Sequence, residues 1–170
     1  MAFIEHTLES APVESRRAME GTVKHLGHLS PAVARLATSP HTLEGFLKMS
    51  ALFERTTLEP VAREVVIMTV ATRNDCALCV NMHTARLRRL GAPDELIGEL
   101  REGKPLTDER LDAVREFTLA VYATSGAVPD AGLDAFLAQG YTRQNALEVV
   151  LGIGTYTVST FANRLTGASH

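Results

Sequence analysis

What the sequence has little of narrows its class first. It holds only two cysteines in 170 residues, so no disulfide framework carries the fold. A chain of this length buries about 70% of its unfolded surface and folds without such staples. It has no basic excess. Seventeen Lys+Arg stand against twenty Asp+Glu, a formal net charge of −3, which excludes the positive footprint that nucleic-acid binding rests on. It has no apolar run near the ~20 residues of a membrane span. The opening Met1-Ala2-Phe3-Ile4-Glu5-His6 has no basic stretch leading into an apolar core, so it does not read as a secretory signal. No low-complexity linker divides the chain. Gly103-Lys104-Pro105 and Ser125-Gly126-Ala127-Val128-Pro129 read as loops. No flavin, haem or nucleotide motif is present, so no cofactor is expected. The expectation is one cytoplasmic domain over 1–170, with neither nucleic acid nor membrane as partner.

What is there is helical. Apolar residues make up 45% and charged residues 22%, and apolar positions recur at three and four with no alternating β-branched runs. The pattern predicts an all-α chain with helices at 13–27, 31–37, 41–54, 59–74, 76–90, 93–101, 107–124, 130–139 and 142–165. Ser30-Pro31 and Ser39-Pro40 each set a capping side chain before a proline, which suits a helix start. Gly91 and Gly140 read as helix stops. The similar junctions Gly91–Leu96 and Gly140–Asn145 reflect shared turn chemistry more readily than duplication. Residues 1–56 form an expected N-terminal layer on a core from 57 to 165. Gly152 and Gly154 cost about 1 kcal/mol each inside a helix. They suggest close backbone approach, within the chain or across a subunit boundary, or else tolerated glycines in a buried helix.

The informative segment runs from Glu64 to His83: a glutamate, eleven residues, Cys76, two residues, Cys79, three residues, His83. Asn74-Asp75 breaks one helix and precedes another, which places Cys76 in a first turn. Cys76, Cys79 and His83 then share one face. Free N–H groups and the partial positive charge at a helix start favour a thiolate, the reactive form of cysteine. Glu64 sits in an apolar helix, where a carboxylate needs a partner. A helix-break-helix fold turns it toward His83. The result is a chain in which the acid orients the imidazole and the imidazole activates the thiol. Arg86, Arg88 and Arg89 read as a solvated face, with an arginine at the site as the lesser option. His25, His28 and His41 read as surface or capping residues. Tyr122, Tyr141 and Tyr156 read as core, with Tyr156 on a helix able to line a pocket.

Arg63-Glu64-Val65-Val66, then Asn74, Cys76, Cys79 and His83-Thr84, resembles the core motif of the carboxymuconolactone decarboxylase-like superfamily in its alkylhydroperoxidase D (AhpD-like) branch. The match is strongest over residues 57–100. The resemblance implies an AhpD-like helical bundle assembled as a homotrimer or homohexamer. It also implies thiol-dependent reduction of hydroperoxides, with Cys79 peroxidatic, Cys76 resolving, and His83 with Glu64 as proton relay. An external dithiol, of lipoyl type, is the implied reductant. Leu78 stands where alkylhydroperoxidase D carries a second histidine, which shortens the relay. The rival readings are a cofactor-free decarboxylase or lactone enzyme on the same fold, a redox-sensing protein, and a zinc site built from Cys76, Cys79, His83 and Glu64.

Overall fold

The computed structural model describes residues 3–168. Nine helices and no strand are found among them: α1 (Val13–Leu26), α2 (Pro31–Leu36), α3 (Pro40–Phe53), α4 (Pro60–Arg73), α5 (Ala77–Arg89), α6 (Asp94–Glu102), α7 (Glu109–Ala123), α8 (Asp130–Ala138) and α9 (Arg143–Leu165). Every predicted helix is present, with ends displaced by two residues at most.

The boundaries follow from local chemistry. Ser30 and Ser39 accept hydrogen bonds from Val33 N and Thr42 N, each before a proline at the first helical position. Asp108 caps α7 through Leu111 N. Thr142 and Asn145 form a reciprocal capping box on α9. Gly91 and Gly140 lie at φ +76° and +85°, beyond the ends of α5 and α8.

The central element is α4. From Glu64 to Ala71 every position is buried, so this stretch of the helix is enclosed on all sides rather than amphipathic. It packs mainly on α9, α5 and α7, while α3 lies along α9. Phe53, Val65, Val66, Met68, Leu87, Val114, Phe136 and Val149 belong to the main core. Phe136 stacks between Phe117 and Tyr141, at 4.5 and 4.6 Å between ring centroids. A second apolar cluster joins the N-terminal layer to the cysteine turn: Ala11, Met19, Val33, Leu36 and Leu43 meet Leu78, Cys76 and Cys79. Val80 packs against both clusters.

The two glycines of α9 part company. A Cβ on Gly152 would lie 2.7 Å from the Phe53 ring and 2.9 Å from Val66, so α9 closes on α3 and α4 within the chain here. Gly154 faces outward with open space before it. It lies on an exposed stripe of α9 with Leu147, Val150, Phe161 and Leu165. Among the described residues no helix is long and apolar enough to cross a membrane.

Candidate active site

The site is built at the junction of α4 and α5. Asn74 caps α4, and the chain turns through Asp75 in the left-handed region, φ +52°. Cys76 N bonds back to Ala71 O and Asp75 N to Thr72 O, the paired hydrogen bonds of a helix stop usually made with glycine. Arg164 of α9 holds this strained residue, bonding the Asp75 carbonyl and its carboxylate, the latter at 2.8 Å. Asn74 is fixed from two sides: its Nδ2 donates to Thr160 Oγ1 at 2.9 Å and its Oδ1 accepts from Tyr122 OH at 3.1 Å.

The turn corrects one expectation. Cys76 occupies the capping position before α5, not its first turn, and its side chain caps nothing. The Schellman-type stop at the end of α4 extends one residue further than the Asn74-Asp75 break suggested. Cys79, inside the first turn of α5, keeps its predicted place. The two cysteines are joined as a disulfide, with Cα atoms 5.4 Å apart. Both are deeply buried, 3% and 4% exposed. Cys79 Sγ accepts a hydrogen bond from Asn163 Nδ2 at 3.3 Å.

One turn beyond Cys79, His83 Nδ1 donates a hydrogen bond to Glu64 Oε2 at 2.7 Å. This orientation leaves Nε2 free of the carboxylate. Glu64 is 1% exposed, and its second oxygen is held by Arg86 Nε at 3.0 Å. Arg86 reaches Glu54 with its other arm at 2.5 Å. The buried carboxylate therefore has an imidazole and a guanidinium as partners, which is what a charge at this depth requires. Arg86 is thus a site residue rather than part of a solvated face, because it lies three positions from His83 on the inner side of α5. Arg88 and Arg89 are exposed as expected.

The edge of the His83 ring meets Tyr156 at 5.4 Å between centroids. Burial pushes the Tyr156 phenol up to about 12, although a hydrogen bond with Ser50 pulls the other way. Tyr156 is therefore a neutral wall through the ordinary pH range. Together His83, Arg86 and Tyr156 line a cavity of about 500 Å³ with Ala18, Leu47 and Met82. His25 lines it too. His28 and His41 are exposed. Tyr122 and Tyr141 have structural places, the first on Asn74 and the second in the Phe136 stack.

Glu64 and His83 are brought together as predicted, and so are Cys76 and Cys79. The sequence reading missed Glu54 and Asn163. Glu54 lies at the end of α3 and carries no motif. Asn163 lies 84 positions from Cys79, and nothing in its local pattern marks it. Among the described residues no three of His, Cys, Asp and Glu are grouped as metal ligands would be.

The model of the carboxymuconolactone decarboxylase family matches residues 40–104, a stretch that includes α3 to α6 and hence Glu54, Glu64, both cysteines, His83 and Arg86. Among solved structures, the chain is similar to an alkylhydroperoxidase AhpD core, an uncharacterized peroxidase-related protein from Ralstonia eutropha JMP134. The two share 20% identity over 98% of this chain and 90% of that one, with a TM-score of 0.85. It is also similar to ATU0492 from Agrobacterium tumefaciens, a protein of unknown function described as a candidate antioxidant defence protein AhpD. There the identity is 20% over 78% of this chain and 92% of that one, with a TM-score of 0.65. At such identities the likeness is one of fold. No curated protein matches the chain.

Proposed function

We propose that this chain, a member of the carboxymuconolactone decarboxylase-like superfamily by its residues 40–104 and its AhpD-like fold, is a thiol-dependent peroxidase. The observation that carries this reading is the Cys76–Cys79 pair one helical turn from an imidazole held by a buried carboxylate. In the reduced protein, the Cys79 thiolate attacks the outer oxygen of a hydroperoxide. The O–O bond breaks, and the leaving alkoxide takes a proton from His83 to depart as an alcohol, or as water when the peroxide is hydrogen peroxide. Cys79 is left as a sulfenic acid. The Cys76 thiol attacks that sulfur, water leaves, and the disulfide closes. An external dithiol, of lipoyl type by family resemblance, then reduces the pair by exchange and becomes a disulfide itself. Glu64 fixes the His83 tautomer and supports its charged form. The cavity beside His83 is the place this reading gives to a small hydroperoxide before it reaches Cys79. A homo-oligomer in the cytoplasm belongs to the same reading, and the exposed apolar stripe of α9 supports self-association.

Peroxide consumption by purified protein with a dithiol donor tests it. Loss of turnover in Cys79→Ser, with Cys76→Ser stalling after one equivalent of peroxide, is the expected result. Turnover unchanged in Cys79→Ser assigns the wrong nucleophile.

The depth of the two sulfurs favours a second reading, a redox sensor whose disulfide changes assembly. Sedimentation of reduced and oxidised protein separates the two. A change of size on oxidation without catalytic turnover supports the sensor.

A further inference from the structure

We infer that Asn163 is a catalytic residue. Its amide N–H stabilises the Cys79 thiolate, and its amide oxygen receives the hydroxyl of the Cys79 sulfenic acid. This rests on the peroxidase reading for its second half only.

Three residues of α9 at helical spacing, Thr160, Asn163 and Arg164, turn toward the α4–α5 junction. The outer two are anchors. Thr160 accepts from Asn74 and Arg164 binds Asp75, so the helix is held against the cysteine turn on both sides of Asn163. Asn163 itself is 2% exposed. Its Nδ2 donates to Cys79 Sγ at 3.3 Å. Its backbone carbonyl is already engaged by Thr166 Oγ1 and Ala168 N. Its side-chain oxygen is buried and has no partner. A structural asparagine seldom leaves half of a buried amide unsatisfied, because the cost of desolvation then goes uncompensated. With the sulfurs joined, Cys79 offers no donor. A strong donor arrives there only within the reaction cycle, as the S–O–H formed when the thiolate takes an oxygen from the peroxide, since a reduced thiol offers no more than a weak S–H. The carboxamide then meets the sulfenic acid edge to edge: N–H to sulfur, O–H to carbonyl. Held so, the sulfenic acid keeps its proton and waits for Cys76. When Cys76 attacks, its sulfur bonds to Cys79, hydroxide leaves with a proton as water, and the amide oxygen again has no partner.

The test separates the two halves. In full-length reduced Cys76→Ser protein, the pH dependence of Cys79 alkylation by iodoacetamide is followed by mass. Asn163→Ala and Asn163→Leu raise the midpoint by about one pH unit and slow alkylation at pH 7 about tenfold, since one pKa unit is a tenfold change in thiolate. Asn163→Leu keeps the volume of the side chain without adding a charge, and it carries the measurement if Asn163→Ala melts too early. Unchanged midpoints in the variants overturn the assignment. One equivalent of hydrogen peroxide forms the sulfenic acid, a second equivalent is then added, and dimedone labelling of timed samples reads the sulfenic acid that remains. The variants pass on to sulfinic acid several times faster than the parent. Equal lifetimes overturn the role of the amide oxygen. A shifted midpoint in a protein that consumes no peroxide leaves the thiolate contact standing and removes the peroxidase reading, whereas turnover with an unshifted midpoint does the reverse.

Discussion

Glu64 has partners on both oxygens, and its consequences are those of one buried charge. His83 takes one oxygen and Arg86 the other. Replacing it by glutamine keeps an acceptor for His83 but removes the charge that supports imidazolium, and it turns an N–H toward the Arg86 guanidinium or the ring. We expect Glu64→Gln to lower the peroxidase rate by about 10²-fold, in the range of a lost general acid–base contribution, while Cys79 still alkylates. Stopped-flow peroxide consumption set beside iodoacetamide labelling distinguishes this from misfolding. Much of the site at this scale was legible in the sequence, because Glu64, Cys79 and His83 are tied to it by spacing along two adjacent helices. Arg86 was harder to place, since three arginines in four positions look alike until α4 shows which one meets a carboxylate. Asn163 left no local trace, because only the packing of α9 against the α4–α5 turn brings it to Cys79.

At the scale of elements, α9 is joined to the loop before α4 by the Glu148 carboxylate and by Asn145, whose Nδ2 donates to Thr57 Oγ1. Glu148 accepts from Thr57 N and Oγ1, Leu58 N, Asn145 Nδ2 and Gln144 Nε2. Burial pushes its carboxyl up, but these hydrogen bonds, led by Thr57 N–H, outweigh burial and hold it below the usual carboxylate range. A carboxyl depressed in the folded state stabilises the fold above its unfolded value and loses that contribution as pH falls through the folded one. Glu148→Gln should therefore melt at a lower temperature than the parent at pH 7, with the gap narrowing below about pH 4. Melting followed by circular dichroism from pH 7 to pH 3 checks this, and a gap that stays constant or widens in acid contradicts it. Helix ends were legible because serine, proline and glycine mark them chemically. The exact seat of Cys76 was not, because the stop that displaces it uses Asp75 in a backbone region where glycine is the usual signal. Gly152 and Gly154 read alike in sequence, and only packing separates the one that admits Phe53 from the one that faces outward.

At the scale of the whole molecule, two apolar clusters are found among the described residues, and the cysteines belong to the one that the N-terminal layer closes. The sequence suggests residues 1–56 as a layer on a core from 57 to 165, whereas Phe53 belongs to the main core and Ala71 to the smaller cluster. That the layer would seal the redox pair was not visible, since no periodicity says which face a helix hairpin covers. Met19 is fully buried in that seal. Met19→Ala removes a large side chain from it, at a typical cost of 2–5 kcal/mol, or about 3. It should speed reduction of the Cys76–Cys79 disulfide by a bulky protein dithiol more than by a small one. Parallel reduction time courses for the two donors check this, and equal acceleration of both contradicts it.

Sulfurs that lie beneath a closed layer also set a ceiling on the electron supply. If an external dithiol regenerates the pair as proposed, raising the concentration of a large donor is expected to reach a plateau, because both sulfurs are buried in the cluster that holds Met19 and Leu43.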